Sequence, residues 1–229
     1  MTQPWSPDTP RANDYAGFDL TTGTFVRTSS TRPRQVALGA PRAGNKRQGV
    51  VFVVETMDDN NVKQVAKVEG SQSGEYFGAS VTAADLNGDQ IDELIVGSPL
   101  FTNPSSSTLG YEEGRISIYS SRGQIGRLEL VCSIYGPEVP RARFGSALAT
   151  LGDLDEDGFE DFVVGAPFEG EGRGVIRIYL GRPDLENLEH GYVIKASEIN
   201  DNLRGFGNAF IKNRADIDGN GLTDLAIGM

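Results

Sequence analysis

Residues 152–168 read GDLDEDGFEDFVVGAPF. Six acidic residues lie between positions 153 and 161, and a run of apolar and β-branched residues follows and ends in Gly-Ala-Pro. Carboxylates this close together repel one another unless a cation lies among them. The stretch therefore predicts a cation-binding loop that leads directly into a β-strand.

This stretch is one of several copies. Similar stretches begin at Asp85 (DLNGDQIDELIVGSP) and at Asp216 (DIDGNGLTDLAIGM), and in all three a glycine follows the first aspartate by 12 positions. A Phe-Gly pair precedes each loop. An earlier copy without the acidic loop ends in ALGAP, and the corresponding glycines of the four copies are separated by 58, 68 and 63 residues. A period of about 60 residues fits a four-stranded β unit.

Each copy contains runs that are typical of β-strands. In the second copy they are FGASVTAAD (77–85), ELIVGSP (93–99), GRISIYS (114–120) and LELVCSIY (128–135), rich in Val, Ile, Tyr and Phe and bounded by turn residues. In the third copy the last run, YVIKASEI (192–199), is also predicted as a strand. No segment shows a helical stripe. Four short strands repeated radially predict an all-β fold, a β-propeller of four-stranded blades.

The acidic loops offer oxygen ligands at positions 1, 3, 5 and 9, and the backbone carbonyl of position 7 can add another. Ca²⁺ accepts six to eight oxygen ligands in loose geometry, so we predict three Ca²⁺ sites. The predicted ligands are Asp85, Asn87, Asp89, Ile91 and Glu93 in the first loop, Asp153, Asp155, Asp157, Phe159 and Asp161 in the second, and Asp216, Asp218, Asn220, Leu222 and Asp224 in the third.

Two other interpretations of these loops are an EF-hand and an acidic surface turn without an ion. An EF-hand requires flanking helices and a glutamate at position 12, where these loops have Val96, Val164 and Ile227. An acidic surface turn without an ion stays open as an alternative. The loop at Asp153 is predicted to bind most tightly and the loop at Asp85 most weakly, because Gln90 replaces a turn glycine there.

The corresponding loop of the first copy, RTSSTRPRQ (27–35), has three arginines and no carboxylate. It is predicted to hold no metal. Two interpretations stay open: the arginines take the structural place of the ion, or the loop is simply exposed.

Composition excludes several classes of protein. The chain has 229 residues, with 32 acidic and 21 basic side chains and a net charge of −11, which argues against a nucleic-acid partner. No apolar run approaches the 18 residues of a membrane span, and the N-terminus lacks the apolar core of a signal peptide. Cys132 is the only cysteine and is predicted as a buried thiol, with pairing to another chain as the alternative.

Together, the Phe-Gly pair, the DxDxDGxxD loop and the Gly-Ala-Pro end resemble the FG-GAP repeat of integrin α chains. The stretches GAPRAGNKRQGVVFVVE (39–55) and GSQSGEYFGASVTAADLNGD (70–89) look most like the laminin-binding type of α chain or its invertebrate relatives. The resemblance implies a seven-bladed propeller, of which this chain would be a fragment of about three and a half blades with calcium in the last three. The predicted boundaries are 1–14 for a tail or the end of a preceding blade, 15–70 for a metal-free blade, 71–136 and 137–199 for two calcium blades, and 200–229 for a truncated calcium blade.

The resemblance also implies partners and a location. It implies an integrin β subunit and an extracellular-matrix protein, laminin-like by sub-class, with no membrane contact by this segment itself. The location implied is the extracellular face of the plasma membrane, in a single-pass protein whose membrane helix lies outside the segment. In the family, aromatic residues near the central axis cage a basic side chain of the partner. The matching residues are Phe18, Tyr76, Phe77, Phe144 and Phe206, for which packing between blades is the alternative; Tyr111, in the insertion 101–114, is a further partner-facing candidate.

A catalytic role finds little support in the sequence. There is no GxSxG motif and no glycine-rich phosphate loop, and the single histidine, His190, is interpreted as a turn residue. We therefore predict that the chain is not an enzyme. The alternatives are the non-catalytic FG-GAP propeller of a secreted phospholipase and a stand-alone repeat scaffold.

Overall fold

A computed structural model describes residues 13–28, 35–57, 61–106, 110–122, 125–212, 216–219 and 223–229. This part of the chain forms three four-stranded antiparallel sheets and one two-stranded ladder. In each four-stranded sheet the strands follow chain order, so that every strand pairs with its sequence neighbour. Such a succession of four-stranded units is a partial β-propeller, as the repeat period predicts.

The strands are short. The first sheet contains β1 (Leu20–Gly23), β2 (Gln35–Ala40), β3 (Val50–Thr56) and β4 (Val62–Glu69). The second contains β5 (Ser80–Ala84), β6 (Glu93–Ser98), β7 (Arg115–Ser120) and β8 (Glu129–Tyr135). The third contains β9 (Ala147–Gly152), β10 (Asp161–Ala166), β11 (Val175–Tyr179) and β12 (His190–Lys195), and the ladder pairs β13 (Ala209–Phe210) with β14 (Ile227–Gly228).

Helical structure in the described residues is limited to single turns. These are α1 (Glu169–Gly172), in which Gly170 and Glu171 have left-handed backbone angles, α2 (Ala196–Ile199), and a 3-10 turn at Leu185–Asn187. None of the described helices has the length and hydrophobicity needed to cross a bilayer.

The hydrophobic core lies between neighbouring sheets. One cluster joins the first two sheets through residues such as Val51 and Val96, and a second joins the second and third sheets through residues such as Ile118 and Phe162. A third cluster joins the third sheet to the two-stranded ladder. Because each middle sheet has a neighbour on both faces, all six residues of β6 and all six of β10 are buried. Their apolar runs therefore show no in–out alternation.

The signature glycines explain how neighbouring sheets approach so closely. Gly145 of the Phe-Gly pair has φ +85°, and its carbonyl lies against Gly97 of the preceding sheet. A Cβ added to Gly97 would stand only 2.2 Å from that oxygen. The same contact recurs between Gly39 and Gly78 and between Gly165 and Gly207. The two halves of the repeat motif are therefore complementary surfaces of adjacent blades.

Three details differ from the sequence predictions. The Phe-Gly pairs lie outside the first strands, which begin at Ser80 and Ala147, because the positive φ of each glycine is incompatible with a strand. The strand predicted over 192–199 ends at Lys195, and residues 196–199 form a helical turn. The interpretation of His190 as a turn residue is wrong: it is the first residue of β12 and packs edge-on against Tyr179.

Candidate metal centres and partner-facing residues

The loop between β9 and β10 brings three carboxylates together. Oxygen atoms of Asp153, Asp155 and Asp161 lie within 4.8 Å of one another. Asp161 is the first residue of β10 and is fully buried, whereas Asp153 and Asp155 are exposed. No salt bridge of the described residues involves these three side chains. The cluster therefore has uncompensated negative charge of the kind that a divalent cation neutralises.

Backbone N–H groups shape this loop. Asp157 and Gly158 donate to the carboxylate of Asp153 at 3.0 and 2.9 Å, and Leu154 donates to Asp161 at 2.7 Å. Glu156 and Gly158 both have positive φ, 59° and 95°, so the chain reverses at positions 4 and 6 of the loop. The sequence indicates the turn at position 6 through its glycine, but not the turn at position 4.

The protonation of Asp161 reflects its position. Burial raises the pKa of its carboxyl group, and the charges of Asp155 and Asp157 raise it further, while hydrogen bonds from the backbone N–H groups of Gly181 and Leu154 oppose the shift. A cation at this point would offset the desolvation cost of the ionised Asp161 carboxylate and would relieve its repulsion by the neighbouring carboxylates. Asp157, predicted as a ligand, lies outside the group of three and accepts a hydrogen bond from the N–H of Phe159 at 3.0 Å.

The loop before β14 repeats the arrangement. Oxygen atoms of Asp216, Asp218 and Asp224 lie within 4.8 Å of one another. Gly219 donates its N–H to Asp216 at 2.7 Å, and Ile217 donates to Asp224 at 2.6 Å, the counterpart of the Leu154 hydrogen bond in the previous loop. The other two predicted ligands, Asn220 and Leu222, lie outside the described residues.

The loop between β5 and β6 is closed differently. Asp85 accepts three backbone N–H bonds, from Gly88, Asp89 and Gln90, at 2.8, 3.0 and 2.8 Å. The side-chain amide of Asn87 donates to Glu93 at 2.8 Å, so these two predicted ligands bond to each other. The structure shows no converging group of three carboxylates in this loop, which it describes completely and whose position 3 is an amide.

Two residues of this loop carry an energetic cost. Gln90 has φ +66°, a conformation that favours glycine, at the position where the second loop has Gly158. Glu93 is fully buried, and desolvation raises its pKa to about 8.

Of the predicted position-7 residues, Ile91 is buried and Phe159 half-buried, and the ring of Phe159 lies against Gly88 of this loop.

The two loops are in contact, which the sequence did not indicate. The N–H of Glu160 donates to the carbonyl of Asp85 at 3.0 Å, and the N–H of Asp85 donates to the Glu160 carboxylate at 3.2 Å. Arg182 adds a third hydrogen bond, from its N–H to the carbonyl of Leu86 at 2.8 Å.

In the first copy, only Arg27, Thr28 and Gln35 of the loop RTSSTRPRQ lie within the described residues.

The predicted partner-facing aromatics separate into two groups. Phe77, Phe144 and Phe206 are buried in the clusters between sheets, as expected from the alternative of packing between blades. Phe18 is 54% exposed and meets the half-buried Tyr76 edge-on, with ring centroids 5.8 Å apart.

Two further side chains complete this exposed aromatic cluster. Tyr15 stacks on Phe18 at 6.4 Å, and the guanidinium of Arg42 lies 4.9 Å from the centre of the Tyr15 ring. Neither was identified from the sequence, in which Tyr15 is only the start of the first copy. The remaining candidate, Tyr111, is 45% exposed and lies far from this cluster along the chain.

A buried ion pair beside the Phe-Gly segment was also missed. The carboxylate of Glu75 is fully buried and accepts a hydrogen bond from Arg115 at 2.7 Å. It also accepts the backbone N–H groups of Ser71 and Gln72. The Arg115 guanidinium lies 4.0 Å from the centre of the Phe101 ring. The two charged residues are 40 positions apart, so no local pattern reveals their pairing.

Comparison with known proteins agrees with this architecture. The FG-GAP repeat model matches residues 77–119 and 144–179, which cover the second and third copies from the Phe-Gly pair to the end of the third strand.

The chain is also similar to integrin α chains over nearly its whole length. It is 35% identical over 221 residues to integrin alpha-PS2 of Drosophila melanogaster, 38% over 214 residues to integrin alpha-4 of Xenopus laevis, and 33% over 217 residues to integrin alpha-V of Gallus gallus. These alignments cover 93–94% of this chain but only 15–20% of the relatives. The chain is therefore an FG-GAP repeat segment of the integrin α type.

Proposed function

We propose that the chain is part of the α subunit of a cell-adhesion receptor, located at the extracellular face of the plasma membrane. In this proposal it is a calcium-stabilised propeller segment that pairs with an integrin β subunit and contributes to binding an extracellular-matrix protein. Its role is binding rather than catalysis. The laminin-binding sub-class and the predicted blade boundaries remain predictions.

The observation that carries the calcium part is the convergence of three carboxylates in each of two loops. Oxygen atoms within 4.8 Å of one another can contact a single ion, and carboxylate oxygens are the ligands that Ca²⁺ prefers. The residues present therefore fit the ion. Bound Ca²⁺ would supply positive charge among these carboxylates and would hold the turn between first and second strands.

We retain three sites, with an order of affinity. The loop at Asp153 has the most carboxylates and the turn glycine, so it binds most tightly, and the loop at Asp216 follows. The loop at Asp85 binds most weakly, because the hydrogen bond between Asn87 and Glu93 must break before both side chains can turn to an ion. Burial of Glu93, whose pKa is raised to about 8, adds to that cost because a ligand must be ionised.

The test compares neighbouring carboxylates in the full-length protein. Asp155→Asn removes a member of the converging group, whereas Glu156→Gln removes an equal charge from an exposed residue outside that group. Calorimetric titration with Ca²⁺ should show weakened or lost binding at one site in Asp155→Asn and little change in Glu156→Gln. Equal behaviour of the two variants would mean that Ca²⁺ responds only to the general negative charge of the loop.

The partner part rests on the exposed aromatic cluster of Tyr15, Phe18 and Tyr76. Aromatic faces attract cations, so this cluster fits a basic side chain of the β subunit, as the family resemblance implies. Phe18→Ala should reduce co-precipitation of the full-length chain with β subunits of the same organism. Tyr192→Ala is the control, since Tyr192 is equally exposed on β12. Undiminished pairing in Phe18→Ala would remove this cluster from the interface.

A further inference from the structure

The side chain at position 9 closes each acidic loop. It accepts a hydrogen bond from the backbone N–H group at position 2 of the same loop. These bonds run from Leu86 to Glu93 at 3.0 Å, from Leu154 to Asp161 at 2.7 Å, and from Ile217 to Asp224 at 2.6 Å. The position-9 side chain therefore ties the start of the loop to its end.

The first copy is closed in the same way, by an amide instead of a carboxylate. Gln35, the first residue of β2, is 1% exposed, and its side-chain oxygen accepts the N–H groups of Phe25 and Val26 at 2.9 and 3.0 Å. Its Nε2 donates to the carbonyl of Val26 at 2.8 Å. An ionised carboxylate can accept hydrogen bonds but cannot donate one. Gln35 therefore makes a closing bond that an ionised residue at position 9 could not make.

The loop of the first copy begins earlier than the glycine spacing predicts. That spacing assigns position 1 to Arg27, but β1 ends at Gly23, so the residue that follows the first strand is Thr24. The second strand begins at Gln35, which therefore takes the place of position 9, although this connection is longer than those of the second and third copies.

A contact with the second sheet supports this correspondence. The N–H of Asp92 donates to the carbonyl of Thr24 at 2.9 Å, and the N–H of Thr24 donates to the Asp92 carboxylate at 2.6 Å. Glu160 and Asp85 form the same reciprocal pair between the next two loops. Thr24 and Asp85 therefore occupy equivalent places in adjacent blades.

The copies differ in the group that lies beside the position-9 side chain. In the third copy a second carboxylate, that of Asp155, converges on Asp161 and repels it. In the second copy the amide of Asn87 donates to Glu93 at 2.8 Å. In the first copy the donor belongs to Gln35 itself. An amide N–H thus supplies, in two copies, the partial positive charge that converging carboxylates must take from a cation.

We propose that Gln35 takes the place of both the ion and its carboxylate in the first copy, and so makes closure of that loop independent of calcium. Residues 24–35 include no acidic side chain, so the loop has no negative charge for an ion to neutralise. Arg27 is exposed, whereas the closing amide is buried. Gln35 is therefore a positioning residue that decides which blades respond to calcium. The contrast with the acidic loops rests on the calcium binding proposed above.

Hydrogen exchange of the full-length protein, read by mass spectrometry, reports on this closure, because the N–H groups of Phe25 and Val26 are bonded to Gln35. The variant Gln35→Glu keeps the size and the acceptor but replaces the donor with a charged oxygen. At about pH 7.5, residues 20–26 and 35–40 should exchange roughly tenfold faster or more, because a buried carboxylate then faces the Val26 carbonyl. Glu55, which is buried and pairs with Gln35 across β2 and β3, adds repulsion.

The same substitution at Gln64 is the matched control. Gln64 is exposed on β4 of the same sheet, so Gln64→Glu should alter exchange by less than about twofold. A lower pH gives a second measurement. Burial and the charge of Glu55 raise the pKa of the carboxyl introduced by Gln35→Glu, so at about pH 5 it is protonated and can donate again. The excess exchange of this variant should therefore shrink, whereas a defect of packing alone would persist.

Chelation of Ca²⁺ separates this proposal from the calcium binding on which its contrast rests. In the unmodified protein, chelation should speed the exchange of residues 161–166 in β10 and leave residues 35–40 in β2 unaffected. If residues 161–166 do not respond, the proposed calcium function fails, and the role of Gln35 is judged from its variant alone. That role is overturned if Gln35→Glu exchanges like Gln64→Glu, if its excess exchange persists at the lower pH, or if chelation opens β2 as much as β10.

Discussion

The contact between Gly165 and Gly207 permits a quantitative test of how adjacent blades are joined. Gly165 lies in β10, and a Cβ added to it would stand 1.9 Å from the carbonyl oxygen of Gly207 and 2.9 Å from its carbonyl carbon. Gly165 is not among the glycines with positive φ, so alanine meets no backbone strain of its own there. The effect of Gly165→Ala therefore comes from collisions, above all with the neighbouring backbone and to a smaller degree with the Phe210 ring, 3.3 Å away.

The size of the effect follows from this geometry. Real Cβ atoms essentially never approach another heavy atom closer than 3.0 Å, so the two backbones must separate by about 1 Å. Two hydrogen bonds lie beside the contact: Gly145 donates to the carbonyl of Gly165 at 3.0 Å, and Gly207 donates to that of Gly228 at 3.2 Å. Overpacking usually costs about 1–3 kcal/mol, and we expect about 3 kcal/mol because both colliding groups are backbone.

Native-state hydrogen exchange, read by mass spectrometry on the full-length protein, measures this local stability. Peptides covering residues 161–166 and 207–212 should exchange faster in Gly165→Ala, and the logarithm of the rate increase measures the lost free energy. Gly191→Ala is the control, because a Cβ there would stand 2.9 Å from the end of the flexible Leu180 side chain, which can move aside. If the two variants differ by less than about 0.5 kcal/mol, the glycine contact does not limit how closely the blades approach.

Three further predictions concern calcium, the buried ion pair and the cysteine. Extracellular modules typically bind Ca²⁺ with dissociation constants of about 10⁻⁴–10⁻³ M. Removing Ca²⁺ with a chelator from a solution that contains about 1 mM should therefore lower the stability of the propeller by about 0.4–1.4 kcal/mol per site. A melting curve that does not change on chelation would exclude a structural ion. Glu75→Ala leaves Arg115 buried without its partner and should lower the free energy of unfolding by about 3–5 kcal/mol in a denaturation experiment. Glu186→Ala removes an exposed salt bridge and should lower it by at most about 1 kcal/mol. Equal losses in the two variants would contradict this ranking. Burial raises the pKa of the Cys132 thiol to about 11. Iodoacetamide should therefore label Cys132 at pH 8 roughly 200-fold more slowly than an ordinary cysteine, and the labelling rate should still rise above pH 9. Fast labelling at pH 8 would contradict this effect of burial.

The secondary structure and the repeat were predictable because their signals are local. A strand of β-branched residues between turn residues shows its nature within a few positions, as β6 and β10 do. The reversal of the acidic loop at Gly158 was similarly visible. Prediction failed where a neighbouring element replaced the local preference, as at residues 196–199, where the β-type run turns helical and buries Ala196 against the third sheet.

The candidate sites divide in the same way. Alternate carboxylates in a tight loop were identified from spacing alone, and the structure brings Asp153, Asp155 and Asp161 together. The hydrogen bond between Asn87 and Glu93 was not predictable, because the same spacing allows those side chains to face an ion or each other. The sequence also could not show which phenylalanines of the Phe-Gly pairs are exposed to a partner, because the motif is identical in every copy.

The sequence by itself determined the strands and the acidic loops, because each depends on residues a few positions apart. It also determined the repeat and the family resemblance, because these short motifs recur along the chain at a period of about 60 residues. Only the tertiary structure decided that Phe77 and Phe144 are buried while Phe18 is exposed, and that Glu75 pairs with Arg115. It also decided that the guanidinium of Arg141 stacks on the ring of Tyr111. Burial and pairing depend on how sheets pack against one another, and that packing joins residues tens of positions apart in the chain.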